Sequence, residues 1–331
     1  MDAPTRSTVG QSPLKRPSWN SKMSVGLEET LAGLERFFDL KKLERARSDA
    51  LGIQDYYRLT RHAYSRYHDP GNAVHMGLSE GSEFHPDDLK AQAAFVESRM
   101  PEGTQAVLEI ATGRGMNTIW LARRHPDVRF HGIDLTEAQL EYARQDGADL
   151  ENVATSRGDF HDLSEFRDDS FDVVFVVEAL CHSEDKARVA KEVARVLRPG
   201  GRFIVVDGYR GRPVDKSSEA ENRALQLLAR GMAVAKFETY QDVCDHLVGS
   251  GLAIVEEQDR SSQLKPSLDR CARLADKYMK RPIAAWIMRR LLPRQVINTG
   301  VSGALFPLVL ENGLFTYWIT VLEKPSVQSP G

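Results

Sequence analysis

The chain has 331 residues, with 44 Lys and Arg against 47 Asp and Glu for a formal net charge of −3, and 41% of its residues are hydrophobic. That length suits one sizeable α/β domain with additions, the near-neutral charge exerts no general pull on nucleic acid, and no run of about 18 consecutive apolar residues could span a bilayer. The N-terminus lacks the apolar core of a secretory signal, and Cys181, Cys244 and Cys271 have neither an even count nor paired spacing, so a cytoplasmic location is expected.

Residues 1–22 are rich in Ser, Pro, Lys and Arg with almost no apolar content, so burial cannot offset their chain entropy and a disordered tail is expected. A helical, lid-forming segment is expected over 23–100. Leu27, Leu31, Leu34, Phe38 and Leu40 fall on or near one face of a helix with charged residues around the rest, which predicts packing on the main domain or on a second copy, with a membrane-surface helix as the lesser alternative, so a homodimer stays open. Residues 56–77, YYRLTRHAYSRYHDPGNAVHMG, are dense in Tyr and His and contain a turn at Pro70-Gly71-Asn72.

The core is expected over 101–212. Residues 106–136, AVLEIATGRGMNTIWLARRHPDVRFHGIDLT, read as strand, glycine turn, helix over 117–124, second strand over 129–133, and Asp134 where that strand ends. Gly113 and Gly115 let a ligand approach the main chain, the amides at the next helix start point into a crevice, and an acidic side chain about 20 residues on can accept ribose hydroxyls. A dinucleotide site wants a third small residue and room for a pyrophosphate, but Thr118 stands at the third position and Glu109 places a carboxylate at the turn. That pair favours a ligand carrying a cation and no phosphate, such as S-adenosylmethionine.

Ser156-Arg157-Gly158-Asp159-Phe160 follows the third strand and offers a carboxylate beside an aromatic ring, suited to an adenine. The run 171–177, FDVVFVV, predicts a central parallel strand covered on both faces, and Glu178 to His182 stand at its carboxyl end, where open α/β sheets bind ligands. A helix over 187–197, a stop at Arg198-Pro199-Gly200-Gly201 and a strand over 203–207 complete this part. The region 213–310 is expected to be a helical cap, with helices over 217–237, 239–249 and 267–288, one core strand over 254–258, and a kink at Pro282. Trp286, Ile287, Met288, Leu291, Leu292, Phe306, Leu308 and Leu310 make this cap strongly apolar, and residues 316–322, within 311–331, read as the final strand.

From 106 to 207 the chain resembles a class I S-adenosylmethionine-dependent methyltransferase, through LEIATGRG, GIDLT, RGDF, FDVVFVVEALCH and RVLRPGGRF in the family order. EALCHSED is similar to the segment after the fourth strand in sterol C-methyltransferases, with related segments in tocopherol and lipid O-methyltransferases. Ala111 and Thr112 stand where the family usually has glycine then cysteine. The resemblance implies a Rossmann-like, doubly wound sheet, mostly parallel with an antiparallel last strand, under an N-terminal lid and an inserted cap. It implies S-adenosylmethionine held by Glu109, Ala111, Gly113, Gly115, Asp134, Leu135, Gly158, Asp159, Phe160 and Glu178, with Tyr56 reaching over from the lid. It also implies lid candidates Tyr64 and His75.

Methyl transfer from a sulfonium is an in-line displacement that needs no metal, and none of the residues form a convincing metal site. His182 is the best-placed base for a hydroxyl acceptor, Glu178 could stabilise a carbocation formed at an alkene, and His75 could touch substrate. The expected function is methyl transfer to an O or C atom of a hydrophobic or amphipathic small molecule of the sterol, prenyl, polyketide or lipid kind. The alternatives are an NAD(P)-dependent oxidoreductase and a non-catalytic S-adenosylmethionine-binding protein or S-adenosylmethionine-using cyclase. Nucleic acid is not an expected substrate, because EALCH lacks the Asn or Asp followed by Pro-Pro of many base-methylating relatives.

Overall fold

Seven strands form one sheet: β1 (Ala106–Ile110), β2 (Arg129–Asp134), β3 (Val153–Arg157), β4 (Phe171–Val177), β5 (Leu197–Arg210), β6 (Ala253–Asp259) and β7 (Phe315–Glu323). The computed structural model describes residues 22–69, 71–279 and 290–326. Strand order is β3-β2-β1-β4-β5-β7-β6, with the first five strands parallel and β7 inserted antiparallel between β5 and β6. This is the mostly parallel, doubly wound sheet with an antiparallel last strand that the sequence predicts.

Alternation along the strands supplies two cores. Val107, Val173, Phe175 and Ile204 face one side of the sheet, while Leu108, Val174, Val176 and Phe203 face the other, all fully buried. A parallel strand covered on both faces must be apolar at nearly every position, which is why 171–177 has no break in its hydrophobic run. β5 starts six residues earlier than the sequence suggests. The expected stop at Arg198 to Gly201 is instead a bulged entry into the ladder, with a register shift between Phe171 and Val173 and Gly200 at φ 79°. The glycine pair lets the chain pass from helix to strand without a connecting loop.

In chain order the helices are α1 (Lys22–Glu35), α2 (Leu40–Glu44), α3 (Ala50–Ala63), α4 (Ala91–Ser98), α5 (Met116–Arg124), α6 (Glu137–Asp146), α7 (Lys186–Val196), α8 (Glu219–Gly231), α9 (Tyr240–Val248), α10 (Ser261–Met279) and α11 (Arg294–Glu311). The single helix expected through Leu40 is two. α1 ends at Glu35, and Asp39 accepts from the Lys42 N–H at 3.0 Å to start α2, a local cap that outcompetes continuation of the helix. Leu27, Leu31 and Leu34 are buried against the core, with α1 packed on α8 and α11. The first half of the aromatic segment belongs to α3, which runs on into a π-helical turn at Tyr64–His68.

In the cap, α9 follows the expected helix, α8 ends at Gly231, six residues short of the expected 237, as the chain turns through Ala233 at φ 58°, and α10 begins six residues earlier than expected. The apolar stretch before β7 is helix α11, whose Leu305, Phe306 and Val309 are buried. Leu308 and Leu310 pack against the same core, and Leu291 is exposed. Pro282, Trp286, Ile287 and Met288, like the tail 1–21 and Pro70, lie outside the described residues. Among the described residues no helix is long and apolar enough to cross a membrane.

Candidate cofactor and acceptor site

Strand order reverses between β1 and β4, and a cleft opens at the carboxyl ends of these strands, as expected at a topological switch point. The turn after β1 is tight: Ala111, Gly113 and Gly115 have φ of 62°, 55° and 78°. Ala111 bears a Cβ in the left-handed region, a strain of about 1–2 kcal/mol that the surrounding turn must hold. A Cβ at Gly115 would lie 2.8 Å from that of Ala143, so this glycine lets α6 pack against the turn, whereas Gly113 faces the cleft beneath Val74.

Glu109 lies beneath the turn and does not line the cleft. One carboxylate oxygen accepts from the Thr112 hydroxyl at 2.7 Å and from the Thr118 hydroxyl and N–H at 2.5 and 3.2 Å; the other accepts from Asn117 Nδ2 at 3.1 Å. Burial outweighs these bonds and pushes its carboxyl up to about 7. Thr118, which stands where a dinucleotide fold would have its third glycine, thus ties the start of α5 to β1.

Asp134 ends β2 with Oδ2 accepting from the Gly113 N–H at 2.9 Å and Oδ1 from the Thr136 N–H at 2.7 Å. Removal from water raises its carboxyl to about 6. Leu135, Gly158, Asp159 and Phe160 line the same cleft, a cavity of about 540 Å³. Asp159 accepts from the His161 N–H at 2.9 Å, and the Phe160 and His161 rings meet edge to face at 4.8 Å. Seven carboxylates line this cleft against one arginine, Arg188, among the described residues.

At the end of β4 the backbone is again strained, with Glu178 at φ 50°. This turns its side chain inward, where Oε1 accepts from the Met76 N–H at 2.9 Å and from the Tyr317 hydroxyl at 2.8 Å. Desolvation raises the Glu178 carboxyl to about 8. His182 lies in the short helical turn that follows; its Nδ1 is 3.2 Å from the Ala233 carbonyl and its Nε2 is 3.4 Å from the Tyr57 hydroxyl. The tautomer with Nδ1–H donating to Ala233 leaves Nε2 as the acceptor. Burial lowers the His182 imidazole to about 4, so it is neutral at neutral pH.

His75 borders the cleft but is buried, with Nε2 2.8 Å from the Leu89 carbonyl, and its imidazole is likewise lowered to about 4 by burial. Tyr56 faces away from the cofactor cleft: its hydroxyl is 2.9 Å from that of Tyr64, and both rings border a narrow inner chamber of about 70 Å³. Tyr57 is the lid aromatic that lines the cleft, together with Ala50 and Ile53 of the same helix. The spacing 50, 53, 57 marks one face of α3, and this helical phase is the signal in the sequence that points to Tyr57.

Sequence reasoning also missed Arg114, which is fully buried in the glycine turn. Its guanidinium donates to Gln139 Oε1 at 3.0 Å, Ser65 Oγ at 2.7 Å and the Arg61 carbonyl at 2.7 Å. One side chain thereby ties the cofactor turn to the lid.

The comparisons with known proteins agree with this geometry. Residues 108–205 match the family model described as a methyltransferase domain. With the fold, residues 108–205 resemble the methyltransferase domains of the class I type, whose cofactor is S-adenosylmethionine. The chain is similar to 27-O-demethylrifamycin SV methyltransferase of Amycolatopsis mediterranei (strain S699), 34% identical over 50% of this chain and 60% of that one. It is similar to methyltransferase GfsG of Streptomyces halstedii, 30% identical over 49% of this chain and 57% of that one. A more distant relative is 24-methylenesterol C-methyltransferase 2 of Arabidopsis thaliana, 25% identical over 67% of this chain and 62% of that one.

The chain thus matches 57% to 62% of the length of these relatives. Among solved structures, the cyclase SpnF superposes with a TM-score of 0.67 at 20% identity, over 83% of this chain and 96% of that one. Geranyl diphosphate C-methyltransferase from Streptomyces coelicolor A3(2), solved with S-adenosyl-L-homocysteine, superposes with a TM-score of 0.60 at 15% identity, over 81% of this chain and 97% of that one. At such identities these two matches establish the fold.

Proposed function

We propose that the chain is an S-adenosylmethionine-dependent methyltransferase that methylates an O or C atom of a hydrophobic or amphipathic small molecule. The observation that carries this reading is the union of an acidic cleft at the sheet's switch point with an aromatic chamber, joined through Tyr57, Glu178 and His182, which line both. A carboxylate-lined wall attracts a ligand bearing an ammonium and a sulfonium and repels a pyrophosphate, which weighs against a nicotinamide dinucleotide. In this reading Asp134 accepts the ribose hydroxyls, Asp159 and Phe160 meet the adenine, and Gly113 admits the ligand against the main chain, as their position on the cleft wall supports.

The cofactor supplies an electrophilic methyl group on a good leaving group. The chain's own work is to align the acceptor with that methyl and exclude water. Val74, Met76, Val234, Phe237, Phe306 and Phe315 make the chamber apolar, which suits the hydrophobic part of an acceptor. For a hydroxyl acceptor, Nε2 of neutral His182 takes the proton, with Nδ1–H anchored on Ala233. For an alkene acceptor, the faces of Tyr57 and Tyr64, and Glu178 in its ionised form, offset the positive charge that develops on carbon. The sequence relatives named for a sterol and for a demethylrifamycin support an acceptor of the sterol, prenyl, polyketide or lipid kind. Three unpaired cysteines suit a reducing cytoplasm, and the net charge of −3 gives nucleic acid no broad attraction.

Calorimetric titration with S-adenosylmethionine, and with NADH in parallel, tests the reading. Micromolar binding of the first and none of the second is expected. Binding of NADH instead would overturn it.

A further inference from the structure

A second cavity, about 1010 Å³, lies between α2, α3, the end of α8 and the start of α11. Among the described residues six cations line it, Lys41, Lys42, Arg45, Arg47, Arg230 and Arg294, against two carboxylates, Asp39 and Asp55. Both carboxylates are engaged, Asp39 by the Lys42 N–H and Asp55 by Arg58 at 2.8 Å. Of the cations, Arg47 alone makes an ion pair among the described residues, with Asp49.

Arg230 is held in place by neutral partners, donating from Nη1 to the Ser48 hydroxyl and the Ala46 carbonyl, while its buried Nε has no hydrogen-bond partner. A guanidinium positioned by neutral groups keeps its full charge for a ligand. In a chain of net charge −3, this concentration of positive charge, five of its six cations without an ion pair among the described residues, is a feature of the site itself.

The cavity adjoins the reaction chamber across the buried Tyr56 ring. Tyr56 lines both, and Ala233, whose carbonyl anchors His182, lies on the wall of the basic cavity. We propose that the methyl acceptor is an anionic amphiphile, whose carboxylate or phosphate head group binds Arg230 and Arg294 in the basic cavity while its apolar body reaches past Tyr56 to His182. This rests on the methyltransferase reading for what happens in the chamber, but the anion site itself does not.

The test is calorimetric titration of the full chain with three probes: octyl phosphate, 1-octanol and inorganic phosphate. Octyl phosphate should bind at least about tenfold more tightly than either other probe, since a charge-assisted contact contributes about that factor. The double variant Arg230→Gln with Arg294→Gln should erase the advantage, and Arg230→Lys with Arg294→Lys should retain most of it. S-adenosylmethionine affinity, measured on the same samples, should be equal in all three proteins and reports that each is folded.

Equal binding of octyl phosphate and 1-octanol overturns the proposal, as does an advantage that survives in the Gln variant. Inorganic phosphate binding as tightly as octyl phosphate also overturns it, by showing an anion pocket with no part in holding an amphiphile. If S-adenosylmethionine fails to bind to any of the proteins while the octyl phosphate advantage stands, the methyltransferase reading fails and the anion site does not.

Discussion

The cleft lined by Tyr57 and the basic cavity lined by Tyr56 carry opposite charge. Among the described residues, seven carboxylates and one arginine line the first, and six cations and two carboxylates line the second. A formal charge of −3 averages this contrast away, so net charge says little about what a chain binds when its charges are segregated by cavity. The division also suggests an order for the reactants: a cationic cofactor on one side, an anionic end of the acceptor on the other, and His182 between them.

Substitution at the junction should have the largest effect. His182→Ala should lower turnover by roughly 100-fold or more, the scale for loss of a general base, while leaving S-adenosylmethionine affinity nearly intact. Equal turnover would demote His182 to a structural role. On the acidic side, Asp134→Ala should weaken S-adenosylmethionine binding by about 1.5 to 3 kcal/mol, as for a charge-assisted hydrogen bond, and leave octyl phosphate binding unchanged. Calorimetry showing both ligands equally affected would mean that the two regions are not independent.

The smallest effect is on pH dependence. Burial raises Asp134, Glu109 and Glu178 to about 6, 7 and 8. A carboxyl whose folded pKa lies above its unfolded value holds a proton that the unfolded chain releases, so its stability contribution is complete below the unfolded value and is lost as pH rises through the folded one. His75 and His182, lowered to about 4, act in the other direction, but their effect is complete above about pH 6.5, where both states are neutral. The melting temperature of the free protein should therefore fall between pH 6.5 and 8, and Glu178→Gln should flatten the fall. An unchanged slope in the variant would show that Glu178 is already ionised. Over the same range S-adenosylmethionine should bind more tightly as pH rises, since a cation favours the ionised carboxylates.

Much of the cofactor side was legible in the sequence. Gly113, Asp134, Gly158, Asp159 and Phe160 are read from a glycine turn and from the ends of apolar runs, Leu135 comes from the family resemblance alone, and the structure brings all six to one cleft. Glu109 was named for the same reason and lies below it, because alternation along β1 points residue 109 to the face opposite Leu108, where three neighbours from α5 and the turn use its oxygens. On the lid, Tyr56 and Tyr57 are adjacent in sequence but lie about 100° apart around a helix, so choosing between them requires the phase of α3.

The sequence by itself determined most of the strands, the mostly parallel character of the sheet by resemblance, and the glycine turn after the first strand. Those features depend on side-chain alternation and backbone permissiveness, which act over a few residues and leave a periodic trace. Only the tertiary structure decided the acceptor side. The chamber joins Tyr57, His182, Phe237, Phe306 and Tyr317, and the basic cavity joins Lys41 with Arg230 and Arg294, from elements far apart in the chain. No local pattern encodes such walls, because they arise from how helices with similar amphipathic faces pack together, and packing is a property of the whole arrangement.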